Sequence, residues 1–178
     1  MNEIEKYEFD RMGYLVIKNL LKEEQVKNLL SSVNLLERHA IQNLKKPTRK
    51  MSPWGPEYHF NERKGYHTQG ENKDGGSIII EDFWNADPIF DCLINHGPTM
   101  KYINAIIQTR PTINNSEIRI RYNQNNTNSH GGNILGRSSH LSSQKYKYSF
   151  GEHGIDCMMV RMIYFVHDCR NDEGAFCA

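Results

Sequence analysis

The stretch Glu117-Ile118-Arg119-Ile120-Arg121-Tyr122 alternates charged and apolar side chains without a break. Successive side chains of a strand point to opposite faces, so a period of two predicts a half-buried β-strand. Arg119 and Arg121 then share one face, where they either meet solvent, pair with carboxylates or face an acidic cofactor. Alternation alone does not say which face meets the core. Downstream, a glycine- and serine-rich stretch over residues 130–143 leads to Tyr146-Lys147-Tyr148-Ser149-Phe150, a second candidate strand, and then to the long apolar run 157–166. In that run both alternating sets are apolar except at Arg161, which predicts a central strand. A buried Arg161 would need a carboxylate or an anionic ligand, because an unpaired buried charge is prohibitively costly.

Upstream of Pro111 the pattern is mainly helical. Val26, Leu29, Leu30, Val33 and Leu36 recur at three- and four-residue intervals, laying one apolar stripe along a helix over residues 23–38. Glu23 and Glu24 fall in its first turn, where carboxylates favour the positive end of the helix dipole. A short helix over residues 4–11 and a β-branched strand, Gly13-Tyr14-Leu15-Val16-Ile17-Lys18, precede it. Residues 45–76 are polar, carry Pro47, Pro53 and Pro56, and show neither period, which predicts a long loop. Its aromatics Trp54, Tyr58, Phe60 and Tyr66 favour an ordered cover, with His59 and His67 at the surface or against substrate. Ser77-Ile78-Ile79-Ile80 reads as a short strand, and Asp87-Pro88 starts a helix carrying Phe90, Leu93 and Ile94. Gly97-Pro98 ends that helix, and a second follows over residues 99–107. The expected order is helices first and strands later.

The chain of 178 residues, 38% of them hydrophobic, suits one domain spanning residues 1–178. Its 22 basic and 21 acidic residues nearly cancel, which leaves no electrostatic footprint for nucleic acid and no polybasic membrane anchor. The basic cluster at residues 45–50 therefore reads as solvated loop. Cys92, Cys157, Cys169 and Cys177 form no CxxC, so zinc-ribbon and thioredoxin-like readings lack support and reduced thiols are expected. With no signal-like apolar run at the start and no membrane span later, a cytoplasmic protein is expected. Asn114 and Asn125 begin chance matches to the glycosylation pattern. No internal repeat is visible.

His130-Gly131-Gly132 follows a strand and a polar turn. A histidine there can ligate a metal through a ring nitrogen while the glycines leave room for a substrate; the triplet alone also suits a surface turn. Other pairs are poorer ligands: His153 and Asp156 point to opposite faces of a strand, as do His167 and Asp168.

Several motifs resemble the phytanoyl-CoA dioxygenase family in their order. These are Gly13-Tyr14-Leu15-Val16-Ile17-Lys18-Asn19-Leu20-Leu21 with the helix after it, the helix pair around Phe90, Leu93, Ile94 and His96, the strand from Ile118 to Tyr122, His130-Gly131-Gly132, and the closing segment 166–177. The resemblance implies an α+β chain whose β part is an incomplete double-stranded β-helix (a cupin-like jelly roll) with helices packed on one side, truncated before the roll is complete. It also implies an Fe(II)- and 2-oxoglutarate-dependent oxygenase that hydroxylates a small or carrier-bound organic substrate. His130 would be a metal ligand; Arg121, on the strand face it shares with Arg119 and not at the family's arginine position, is the candidate contact to the acidic cofactor.

The sequence departs from the family at Gly132, where the usual His-x-Asp pattern has its carboxylate. The distal histidine and the arginine that holds 2-oxoglutarate belong after a "PGSHK" motif that these 178 residues do not contain. Three readings of Gly132 stay open. The carboxylate comes from Glu152, Asp156 or Asp168; a halide takes its place; or no iron is bound. A second hypothesis from another class is a non-catalytic jelly-roll binding module that has lost the iron site.

Overall fold

The computed structural model describes residues 1–46, 50–51, 57–125, 148–152 and 154–169, and the fold is α+β. Helix α1 (Glu3–Met12) opens with a capping box. The Asn2 side chain accepts from the Glu5 N–H and the Glu5 carboxylate accepts from the Asn2 N–H, both at 2.8 Å. The helix stops at Gly13, whose φ of 77° is the left-handed conformation glycine adopts without penalty. No residue of α1 is buried; tyrosine hydroxyls hold it, Tyr102 donating to Glu5 at 2.9 Å and Tyr148 donating to Asp10.

Helix α2 (Glu23–Leu44) runs further than the stripe over residues 23–38 predicts, because Ala40, Ile41 and Leu44 continue it. It lies against a five-stranded antiparallel sheet in the order β1-β2-β3-β4-β5. The strands are Lys50–Met51, Glu57–Phe60, His67–Gly70, Ser77–Glu81 and Glu117–Arg121. The core forms where Leu29, Val33, Leu36 and Ala40 of α2 meet Ile78 and Ile80 of β4, together with Tyr66, Phe83, Ala86 and Phe90. Between β4 and β5 come two 3-10 turns, α3 (Asp91–Ile94) and α4 (Gly97–Ile106). Pro98 sits in the first turn of α4, where its missing N–H is no loss, so Gly97-Pro98 begins a helix, while the helix before it already ends at Ile94. A separate hairpin pairs β6 (Tyr148–Gly151) with β7 (Gly154–Cys157). Among the described residues no helix is long and apolar enough to cross a membrane.

Several sequence expectations are corrected. Residues 14–17 belong to no strand, and Val16 is exposed. β-branched residues favour extended backbone, whereas a strand also needs a neighbour to pair with. The same holds for residues 158–166. Val160, Met162, Tyr164 and Val166 are half-buried and alternate with the exposed Arg161, Ile163 and Phe165, so the run is one-faced and Arg161 needs no buried partner. Within the expected loop over residues 45–76 lie β1, β2 and β3, which places strands ahead of the α3–α4 pair.

Asp87 joins α2 to the second 3-10 turn after β4, Pro88–Phe90. Its carboxylate accepts from the Ile89 N–H at 3.0 Å and from the Ser32 hydroxyl at 2.6 Å. The backbone bond first, and the Ser32 bond second, hold its pKa below the ordinary aspartate value. A carboxyl whose pKa is lowered by folding stabilises the fold fully above its unfolded-state value, and that contribution is lost as pH falls through the folded-state value. Asp87→Ala is therefore expected to cost roughly 1–3 kcal/mol at neutral pH, from the lost cap and the orphaned Ser32 hydroxyl. Urea unfolding at a series of pH values checks both parts: the gap between wild type and variant should narrow as pH drops from about 4.

Candidate functional site

Strand register divides the sheet into two unlike faces. Thr68, Ile80 and Ile118 form one cross-strand row, and Ile78 and Ile120 stand opposite one another in the next row on the same side. Thr68, Ile78 and Ile80 are buried and all five lie on the α2 side. The intervening rows carry His67, Glu81 and Glu117, then Gln69, Ile79 and Arg119, and at the far end Ser77 opposite Arg121. Because side chains alternate, these rows face away from α2, and they form a polar, half-buried wall.

On this wall His67 Nε2 lies 2.8 Å from Glu81 Oε2, its direct cross-strand neighbour, and Nδ1 lies 3.7 Å from Asp82. The Tyr58 ring packs against the imidazole at a centroid distance of 5.0 Å. Arg119 donates from its terminal nitrogen to Glu117 at 3.2 Å. Its Nε is buried and at ion-pair distance from the same carboxylate, 3.2 Å, without a hydrogen bond among the described residues. Gln69 Oε1, in the same cross-strand row as Arg119, is likewise buried without a hydrogen bond among the described residues. Arg121 stands at the exposed end of the wall.

The far edge of the sheet is tied to the helix on its other face. The Tyr122 hydroxyl donates to Glu37 of α2 at 2.7 Å, and burial together with that bond raises its pKa well above the ordinary phenol value. The run that follows β7 is anchored separately, through a 2.8 Å hydrogen bond between Tyr164 and Thr99 of α4.

The candidate site residues fare differently. Arg121 and Arg119 are on the wall, on the face that the alternation left open. His130, Gly132 and His153 lie outside the described residues. Of the alternative carboxylates, Glu152 and Asp168 are exposed, and Asp156 of β7 pairs in register with Ser149 of β6. Among the described residues no group of three or more His, Cys, Asp or Glu side chains could hold a metal ion. Glycine at position 132 leaves the family's usual carboxylate position without a ligand.

The His67–Glu81 pair was not legible as a site, because residues 67–70 lack the β-branched alternation that announces a strand. The available signal was the turn-rich Asn72-Lys73-Asp74-Gly75-Gly76 before Ser77, which marks a hairpin and makes the preceding residues its first strand. Comparison of the chain with protein-family models, curated proteins and solved structures returns no match.

Proposed function

We propose that this chain is a jelly-roll domain of the Fe(II)/2-oxoglutarate oxygenase kind, resembling the phytanoyl-CoA dioxygenases and acting on a small or carrier-bound organic substrate. One observation carries this reading: the sheet is roofed by α2 on its apolar face and presents His67, Gln69, Arg119 and Arg121 on the other. A jelly roll uses its sheets in this way, with helices outside and the ligand against the inner wall. In this reading Arg121 attracts a carboxylate of 2-oxoglutarate, for which its planar fork of donors is suited. His130 is the metal ligand.

A second reading is favoured by Gly132, which supplies no carboxylate where the family has one. It is a jelly-roll binding module without iron, in which the same wall takes an anionic small molecule.

Anaerobic titration of the full chain with Fe(II), then with 2-oxoglutarate, separates the two. For the oxygenase, His130→Ala lowers Fe(II) affinity by at least roughly tenfold. Arg121→Gln weakens 2-oxoglutarate while leaving Fe(II) affinity unchanged. Unchanged Fe(II) affinity in His130→Ala sinks the ligand assignment. No Fe(II) binding by the wild type, with 2-oxoglutarate still bound in an Arg121-dependent way, establishes the binding module instead.

A further inference from the structure

On the opposite, helix-covered side of the sheet, the turn between β2 and β3 leans over α2 and leaves a pocket of about 200 Å³. The turn is fixed by its own bonds, Gly65 N–H to the Asn61 carbonyl at 2.7 Å and Asn61 N–H to the Tyr66 carbonyl at 2.9 Å. Leu36 and Tyr66, both buried, contribute apolar surface to its lining. The charged groups around it are unevenly committed. Lys64 donates to the Ala86 carbonyl, and the Asp87 carboxylate is taken up by Ile89 and Ser32. Arg63 and His39, both exposed, have no hydrogen-bond or ion-pair partner among the described residues.

An uncommitted guanidinium beside an apolar lining suits a ligand with one anionic group and a compact carbon body. The guanidinium fork matches a carboxylate with two parallel hydrogen bonds. The fixed negative charge of Asp87 disfavours a dianion, and inorganic phosphate would leave Leu36 and Tyr66 uncovered. The volume is below the roughly 300 Å³ at which drug-sized ligands begin to fit. We propose that this pocket is an accessory site for a small organic monocarboxylate, which sets its carboxylate on Arg63 and its apolar body on Leu36 and Tyr66. The site is separate from the polar wall and does not depend on iron.

Benzoate is a suitable probe of the full chain, followed by thermal unfolding and by backbone amide shifts. It is expected to raise the unfolding temperature, since it binds the folded state, and to shift Leu36, His39 and Tyr66. Arg63→Gln should weaken it by about tenfold, the effect of losing one charge-assisted contact. Arg121→Gln, on the opposite face, should leave it unchanged, and inorganic phosphate should bind more weakly than benzoate. Equal benzoate affinity in Arg63→Gln overturns the proposal. So does phosphate binding as tightly as benzoate, or shifts that appear at His67, Gln69 and Arg119 instead of the pocket.

Discussion

Gly70→Ala is expected to destabilise the protein by roughly 3–5 kcal/mol, a large share of the roughly 5–15 kcal/mol that holds a typical domain together. Gly70 closes β3 with a φ of 107°, a conformation that side-chain-bearing residues avoid. A Cβ placed there would lie 1.9 Å from the Ser77 carbonyl oxygen and 3.0 Å from its carbon. Both are backbone atoms, so no rotamer change relieves the clash, and β3 and β4 must part at Gly70 and Ile78, a cross-strand pair. Gly75 offers a control in the same hairpin. Its φ of 76° is also positive, but a Cβ there meets nothing within 4 Å, so Gly75→Ala carries the conformational cost alone. Urea unfolding should separate the two variants, and equal midpoints would contradict the close approach at Ser77. Because β3 carries His67 and Gln69, Gly70→Ala should also disturb the polar wall.

Phe90→Ala is expected to cost about 3–5 kcal/mol, the range for removing a fully buried aromatic side chain. Phe90 is 1% exposed and meets Phe83 edge to face at a centroid distance of 4.9 Å. Its ring belongs to the same cluster as Leu29, Val33, Ile78 and Ile80, so its loss opens a cavity between helix and sheet. Phe90→Leu keeps much of the volume and should recover more than half of the loss. Thermal and urea unfolding of the pair measure this. A cost below about 1 kcal/mol for Phe90→Ala would mean that the cluster closes over the gap.

These two positions fix the geometry on which the functional proposals rest. The wall exists because β3, β4 and β5 hold register, and register holds because Ile78 and Ile80 are committed to the α2 side. A slip by one residue would send His67, Gln69 and Arg119 into the apolar core and turn the isoleucines outward. The apolar packing of one face thereby sets the position of every polar group on the other.

Much of the scaffold could be read from local pattern. The stripe on α2, the alternation on β5, the run Ser77 to Ile80 and the Asp87-Pro88 start all carry their own signal, because each is amphipathic or capped within its own few residues. Strands β2 and β3 could not be read that way. Their residues are polar or aromatic, and β4 and the hairpin turn recruit them. The runs 13–18 and 158–166 show the converse, strong extended propensity without a described neighbour to pair with. Arg161 follows from that: only a central strand would bury it, and without the strand it is exposed.

By itself the sequence determined the helices, the two apolar strands β4 and β5, and the shared face of Arg119 and Arg121, since helical and strand periods are properties of neighbouring residues. Only the tertiary structure decided that this shared face turns away from α2, that His67 sits 2.8 Å from Glu81 across fourteen positions of chain, and that Arg63 and His39 border one pocket. Those placements depend on strand register and helix packing, which bring together residues whose sequence separation carries no signal of their contact.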